Sequence, residues 1–324
     1  MSDTLNIENL FVNYSTDKGK LHALRNININ IPTNSVVGII GESGCGKSTI
    51  VSSIMNLMPE NAKIENGSIK LNNNSILDLK QNERKKILGN KISVIFQDPM
   101  TCLNPVMSIG KQMILSQHHK KIPKNEKIKH SLEMLNFVGI PDFESRFNDL
   151  PHKFSGGMRQ RIMIAMAIQS NPELLIADEP TTALDVTTEV QIINLLKNLK
   201  NKIKCSILFI THNLNLLLDF CDYIIIMYAG IIVEKGTTKN IFLNPQHPYT
   251  KKLFNCDPSQ IEKKISKFPY IKGSLPNLIN LKNECVFSSR CENPSHECKE
   301  GIIENKLIEY SKDHWVDQCC INCN

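Results

Sequence analysis

The sequence lacks any apolar run long enough to cross a membrane. A membrane-spanning helix needs about 18 consecutive apolar residues, and the longest candidate, residues 223–233, is too short. The N-terminal residues also lack the charged segment and apolar core of a secretory signal. We therefore expect a cytosolic chain that does not itself cross a bilayer and whose cysteines lie in a reducing compartment.

The chain has only a slight excess of positive charge, and it lacks sequence repeats. The chain has 38 Lys and Arg against 32 Asp and Glu, a net charge of +6 that is spread along the sequence. This makes no strong case for nucleic-acid binding. Internal repeats, low-complexity runs and heptads are absent. A length of 324 residues allows one or two domains with full cores.

The most informative stretch is the glycine-rich segment 41–49, which follows an apolar run and precedes a segment that can continue as a helix. This context is typical of a phosphate-binding loop, in which backbone N–H groups and a helix N-terminus face the anion. We predict that Lys47 binds the β- and γ-phosphates and that Ser48 holds Mg²⁺. The residues expected to bind nucleotide are Gly41, Glu42, Ser43, Gly44, Cys45, Gly46, Lys47, Ser48 and Thr49.

Further apolar runs end at polar residues of useful chemistry, namely Gln97, the pair Asp178 and Glu179, and His212. Such runs are typical of parallel strands buried on both faces, and ligands of open α/β sheets lie beyond the carboxyl ends of the strands. We therefore expect these residues to converge on the nucleotide. Asp178 would bind Mg²⁺, and Glu179 would activate the attacking water. His212 would contact the γ-phosphate, and Gln97 the metal or the water.

A second anion-binding pattern occurs at residues 154–161, Phe-Ser-Gly-Gly-Met-Arg-Gln-Arg. Ser155 is a natural helix N-cap, and Gly156 and Gly157 leave the first helical turn bare. A bare helix N-terminus attracts anions. Because the chain already contains a phosphate loop, a second phosphate-binding site needs an explanation.

These motifs, in this order, resemble the ATP-binding cassette ATPases over roughly residues 5–250. The resemblance implies an α/β fold with a phosphate-loop core, an antiparallel β subdomain and an inserted helical subdomain at about 98–165. It implies ATP and Mg²⁺, and two cassettes that enclose two nucleotides, so that Ser155, Gly156 and Gly157 cap the nucleotide of the partner. It also implies that Tyr14 stacks on adenine. Gln160 and Asp185 complete the residues expected to contact nucleotide.

Three segments, 96–105, 177–187 and 245–250, are similar to the dipeptide/oligopeptide importer ATPases. The similarity implies a peripheral ATPase at the cytoplasmic face of the inner or plasma membrane that energises peptide uptake. The implied partners are a second cassette, expected to be a paralogue, two transmembrane permease subunits and an extracytoplasmic solute-binding protein, without nucleic acid. Import of nickel or another small solute is an alternative, and a soluble cassette ATPase acting on nucleic acid or ribosomes is a minor one.

Six of the 11 cysteines follow residue 284. Cys285, Cys291 and Cys298 lie among turn-forming residues, and thiolates on such a segment suit a soft metal, although the tight pair typical of zinc sites is missing. The residues alone leave an iron–sulfur cluster, zinc or no metal open. Resemblance to importer C-terminal extensions implies a [4Fe–4S] cluster, with Cys319 as fourth ligand and Cys320 as its competitor. We expect a cassette at 1–250 and this extension at 251–324.

Overall fold

The computed structural model describes residues 2–182, 184–256, 269–279, 281, 284–300 and 306–318. The chain forms two compact units that interleave along the sequence. The first unit comprises residues 1–5, 31–36 and 71–210, and the second comprises residues 6–30, 37–70 and 211–324. Residues on both sides of position 250 belong to the second unit. These two units do not test the expected boundary between a cassette at 1–250 and an extension at 251–324, which stays a prediction.

The regular elements alternate between strands and helices along much of the chain. The strands are β1 (Asp3–Thr16), β2 (Gly19–Pro32), β3 (Val36–Ile40), β4 (Ala62–Leu71), β5 (Asn74–Ser75), β6 (Ile92–Ile95), β7 (Leu174–Asp178), β8 (Ser206–Ile210), β9 (Tyr223–Tyr228), β10 (Ile231–Thr237), β11 (Leu307–Ser311) and β12 (His314–Asp317). The helices are α1 (Lys47–Met55), α2 (Gln81–Ile87), α3 (Pro99–Cys102), α4 (Ile109–Ser116), α5 (Lys124–Phe137), α6 (Gly156–Ile168), α7 (Val186–Ile203), α8 (Leu214–Phe220), α9 (Thr238–Leu243), α10 (Pro248–Asn255) and α11 (His296–Glu300). Short 3-10 turns lie at Pro151–Lys153 and Ser288–Arg290. No helix of the described residues is long and apolar enough to span a bilayer.

The first unit contains a parallel arrangement of β6, β7 and β8. Ile92 pairs with Leu174 at one end of β6, and Asp178 pairs with Ile210 at the end of β8. Every residue of β8 is buried, as are the first four of β7. Such continuous burial explains why the sequences of these strands are nearly uninterrupted apolar runs. Because the strands are parallel, the segments that follow β6 and β7 leave the same edge.

The stretch between β6 and β7 is helical, as the sequence predicts for the inserted region. Ser108 caps α4 by accepting a hydrogen bond from the Lys111 N–H, and helices α4, α5 and α6 pack on one another. Gly110 lies so close to the Phe147 ring that a Cβ there would be 2.3 Å from a ring carbon. Tight packing therefore holds this helical region together.

The second unit contains both antiparallel and parallel pairing. Strand β3 runs parallel to β9, whereas β9 with β10, β10 with β12, and β11 with β12 are antiparallel. Strand β1 also lies between β2 and β4 in a separate sheet. All of β3 is buried, which fixes the point from which the glycine-rich segment leaves the sheet.

The C-terminal residues share a core with β9. The rings of Tyr228, Tyr249 and Phe287 form a cluster with centroid separations of 4.7, 5.2 and 5.6 Å, and all three side chains are fully buried. Burying three large aromatic rings stabilises the attachment of residues 245–256 and 284–291 to the sheet by several kcal/mol, at about 1.5–3 kcal/mol each.

Candidate functional site

The phosphate loop of the second unit follows β3 and ends where α1 begins at Lys47. Gly46 is the N-cap of α1 and has φ 107°, a conformation that favours glycine. At Gly41 a Cβ would lie 2.2 Å from the Met227 carbonyl oxygen, so a side chain there would force the loop away from β9. These glycines let the backbone wrap as tightly as a phosphate cradle requires.

Lys47 lies inside this loop. It is 7% exposed, and its Nζ donates to the carbonyl oxygens of Gly41 at 2.6 Å and Glu42 at 3.2 Å. The Cys45 thiol is also fully buried, and burial raises its pKa. The loop therefore has a cation within it, and Cys45 can reach a ligand only through its backbone.

Tyr14 and His212 both lie near the loop within the second unit. The Tyr14 hydroxyl is 3.2 Å from Oγ1 of Thr49. The Thr211 N–H donates to the Ile39 carbonyl oxygen near the end of β3, which brings the exposed His212 to the start of the loop. Stacking of Tyr14 on adenine and contact of His212 with a phosphate stay predictions.

In the first unit, Gln97 and Glu179 meet at the carboxyl ends of β6 and β7. Nε2 of Gln97 donates to Oε2 of Glu179 at 3.0 Å, and Oγ1 of Thr182 donates to the same oxygen at 3.1 Å. The sequence places both residues after strands but does not predict this hydrogen bond. The Glu179 carboxylate is therefore oriented by two neutral donors.

The backbone at Glu179 has a left-handed conformation, with φ 46°. Its N–H donates to the Ile210 carbonyl oxygen at 2.9 Å, which holds it against the end of β8. A non-glycine residue in this region costs about 1–3 kcal/mol, and such residues cluster at functional sites. Asp178, the last residue of β7, precedes it and is half-buried.

The signature segment forms the start of α6, as the sequence predicts. The Ser155 Oγ accepts a hydrogen bond from the Met158 N–H at 3.3 Å. Apart from the adjoining residues and the backbone of α6, no atom of the described residues lies within 4 Å of a Cβ built at Gly156, whereas one at Gly157 would lie 2.7 Å from Cγ2 of Thr188. Gln160 is only 1% exposed. The open end of this helix therefore consists of Ser155 and Gly156, and Gln160 faces the interior.

Asp185 has a local structural role in addition to the predicted contact with nucleotide. It is the N-cap of α7, and its two carboxylate oxygens accept from the N–H of Thr188 at 2.9 Å and from the Thr188 hydroxyl at 2.7 Å. These hydrogen bonds lower the pKa of the carboxyl group. The signal was present, since an Asp before a long amphipathic segment is a typical helix start.

The metal site expected in the C-terminal region is not supported by the structure. Across the described ranges, no group of three or more His, Cys, Asp or Glu side chains is placed to hold a metal ion. The N–H of Cys285 donates to the carbonyl oxygen of Cys298 at 2.8 Å, so the two segments meet through their backbones, and the Cys291 side chain is half-buried. Cys319 and Cys320 lie outside the described residues.

Comparison with known families matches two parts of the chain. A family model described as ABC transporter matches residues 24–182. One described as the C-terminal region of oligopeptide/dipeptide transporters matches residues 233–298. The phosphate loop and the carboxylates thus fall in the first match, and the Cys285 segment in the second.

Two relatives are similar over most of their length. The dipeptide transport ATP-binding protein DppD of Lactococcus lactis subsp. cremoris (strain MG1363) is 45% identical over 288 residues, covering 88% of this chain and 82% of the relative. The oligopeptide transport ATP-binding protein OppD of Escherichia coli (strain K12) is 42% identical over 298 residues, covering 92% and 88%.

Solved structures are similar to the fold. The dimeric ATP-binding cassette MJ0796 in a post-hydrolysis state, bound to ADP and Pi, has a TM-score of 0.65 at 30% identity, covering 72% of this chain and 98% of that one. Another is cbiO1 of Clostridium perfringens, part of the ABC transporter complex cbiONQ, with a TM-score of 0.64 at 28% identity, covering 75% and 92%.

Proposed function

Because the chain belongs to the ATP-binding cassette transporter family and is an ATPase of that family, we propose that it energises import of dipeptides or oligopeptides. Its relatives at 45% and 42% identity are named as dipeptide and oligopeptide transport ATP-binding proteins. The matching C-terminal region belongs to the same transporter group. This combination supports peptide as the solute.

In the second unit, Lys47 is proposed to bind the β- and γ-phosphates of ATP, Ser48 to hold Mg²⁺, and His212 to contact the γ-phosphate. The fit is supported by the loop itself, because a Cβ at Gly41 or Gly46 would lie within 2.6 Å of a neighbouring atom and α1 presents its N-terminus to the loop. Backbone N–H groups and the helix dipole favour a phosphate at such a position. Bound Mg²⁺ would neutralise charge on the phosphate oxygens.

In the first unit, Asp178 is proposed as a further Mg²⁺ ligand and Glu179 as the general base that removes a proton from the attacking water. The hydrogen bonds from Gln97 and Thr182 carry this proposal, since they hold one carboxylate oxygen of Glu179 in a fixed orientation. A general base contributes about 10²–10⁴ in rate. Gln97 is thereby proposed to orient Glu179.

The exposed start of α6 is proposed to face the nucleotide of a second cassette. Ser155 and Gly156 present a bare helix N-terminus to solvent, which suits an anion supplied by another subunit. We further propose that the second cassette is a paralogue, and that two permease subunits and an extracytoplasmic solute-binding protein complete the importer. The chain would then be peripheral, at the cytoplasmic face of the membrane.

ATP-driven uptake by the assembled importer tests this function. The chain is purified from membranes with its associated subunits, reconstituted into liposomes containing ATP and Mg²⁺, and given radiolabelled dipeptide, radiolabelled pentapeptide or ⁶³Ni²⁺. Peptide accumulation that depends on ATP and is abolished by Lys47→Ala is expected. Accumulation of Ni²⁺ without either peptide would overturn the peptide assignment and favour the metal-ion alternative.

A further inference from the structure

Arg290, in the C-terminal region, contacts the phosphate loop directly. Its Nη1 lies 3.0 Å from Oε2 of Glu42, the second residue of the loop, and 3.2 Å from the Tyr228 hydroxyl. The Arg290 side chain is only 4% exposed and that of Glu42 is 27% exposed. Buried charge pairs of this kind interact more strongly than surface pairs, because water screens them little.

The guanidinium of Arg290 is itself held in place by its own region. Its Nε donates to the Lys272 carbonyl oxygen at 2.9 Å, and its Nη2 donates to the Ile271 carbonyl oxygen at 3.2 Å. A planar guanidinium offers its donors in a fixed geometry. The hydrogen bonds from Nε and Nη2 therefore fix the orientation in which Nη1 contacts Glu42. A lysine at this position could not form all of these hydrogen bonds.

Glu42 receives a second contact from the same region. Its N–H donates to the hydroxyl of Tyr249 at 3.0 Å, and Tyr249 is fully buried in the aromatic cluster described above. The other carboxylate oxygen of Glu42, Oε1, is buried and has no hydrogen-bond partner among the described residues. Arg290 is thus the cation that compensates this half-buried carboxylate.

Glu42 also joins these contacts to the lysine of the loop. Its carbonyl oxygen accepts a hydrogen bond from Nζ of Lys47 at 3.2 Å. One residue therefore has its N–H on Tyr249, its carboxylate on Arg290 and its carbonyl on Lys47. A shift of Glu42 would change the path of the loop and the position of the Lys47 cation together.

We propose that Arg290 is a positioning residue for ATP binding, which acts through Glu42 to hold the first turn of the phosphate loop and to neutralise its carboxylate. The inference rests on the proposed role of residues 41–49 in nucleotide binding. The ABC transporter match ends at residue 182, whereas the match to the transporter C-terminal region includes Arg290. Nucleotide affinity is then set in part by the C-terminal region.

Removal of the Arg290 cation is expected to weaken ATP binding in a way that a second substitution can reverse. In Arg290→Ala, Glu42 keeps its negative charge beside the segment that receives the phosphates, and like charges in a half-buried setting repel. We expect ATP affinity to fall about tenfold. Adding Glu42→Gln removes that charge and restores affinity to within about threefold, whereas general loosening of the C-terminal region would not be rescued by this second change.

The experiment measures ATP binding by titration calorimetry on the full chain with excess Mg²⁺, together with KM and kcat of the assembled importer. Arg290→Ala is expected to raise KM with kcat within about twofold, and Arg290→Lys to lie between Arg290→Ala and the natural protein. Lys70→Ala is the matched control, because it removes a 2.9 Å ion pair with Glu8 in the same unit, away from the loop.

The outcomes distinguish failure of the proposed function from failure of the proposed role of Arg290. If the natural chain binds no ATP, the proposed function fails. If it binds ATP and Arg290→Ala binds equally well, the inference is overturned, as it is when the double variant stays as weak as Arg290→Ala. Should Arg290→Ala not fold, as judged by thermal melting, the comparison of Arg290→Gln with Arg290→Gln/Glu42→Gln decides by the same criterion, because glutamine also removes the cation.

Discussion

Gln97 donates a 3.0 Å hydrogen bond from its Nε2 to Oε2 of Glu179. The bond joins the segment after β6 to the residue after β7, and Gln97 begins the path from the strand into the helical region. A displacement of that region would move the donor and so the carboxylate. The geometry thus links the helical region that follows Gln97 to the proposed base.

Glu179→Gln is expected to bind ATP normally and to hydrolyse it at least ~100-fold more slowly, because the amide cannot accept the proton of water. This corresponds to ~2.7 kcal/mol of barrier. Steady-state ATPase of the assembled importer measures the effect. Glu173→Gln is the control, since that carboxylate precedes β7 at its other end and pairs with Lys91. Near-normal turnover of Glu179→Gln would refute the assignment.

Gln97→Ala is expected to lower kcat about tenfold while KM for ATP changes little. The variant loses one donor to a carboxylate, and a hydrogen bond to a charged group contributes ~1.5–3 kcal/mol. Thr182→Ala removes the other donor to the same oxygen. Because both act on one atom, the double variant should deviate from additivity, and additive losses would argue against a shared role.

Ser155→Arg is expected to leave ATP affinity of the isolated chain within about twofold and to abolish turnover of the assembled importer. The exposed N-cap position is proposed to face a partner's nucleotide, so the bulky side chain blocks only the paired site. Ser108→Arg is the matched control, because it replaces the N-cap of α4 and costs about 1 kcal/mol of cap stability. An equal loss in the isolated chain would mean that Ser155 acts within its own subunit.

His247 gives the stability of the chain a pH dependence. The side chain is 1% exposed, and burial lowers its pKa from 6.5 to about 4, an effect that nearby Cys285 and Glu234 oppose and Lys251 reinforces. Between these pH values the unfolded chain binds a proton that the folded chain excludes. Stability is therefore retained above pH 6.5 and falls as the pH drops toward 4, by up to about 3 kcal/mol.

His247→Asn tests this pH dependence. His247 caps α10 by accepting from the Tyr249 N–H at 3.0 Å, and asparagine keeps a cap acceptor without titrating in this range. Denaturant unfolding of the two proteins at several pH values is expected to show a flatter profile for the variant. Identical slopes between pH 6.5 and 4 would contradict the assignment.

Much of the fold could be predicted because its signals are local. The apolar runs 36–40 and 206–210 coincide with β3 and β8, and α6 begins after Ser155 as its capping residue predicts. A buried parallel strand favours apolar residues at nearly every position, and a helix start favours an N-cap residue whose side chain accepts a hydrogen bond. Both patterns can be recognised from consecutive residues of the sequence.

The metal site expected in the C-terminal region lacks support in the described residues for a related reason. Cysteine spacing shows that thiols could approach one another, but not how the backbone between them turns. In the described segments, Cys285 and Cys298 meet through a backbone hydrogen bond, and their side chains do not form a ligand group with a third residue. Spacing alone could not distinguish these arrangements.

The fold family and the chemical types at the site follow from the amino-acid order, since glycines, a lysine, carboxylates and a capping serine lie at fixed intervals along short segments. Which side chain each of these residues contacts depends on the three-dimensional packing. Arg290 reaches Glu42 across 248 positions of sequence, and Gln97 reaches Glu179 across 82. Such pairs depend on how the strands are ordered and how the C-terminal region packs on Tyr228, and no local pattern encodes that packing.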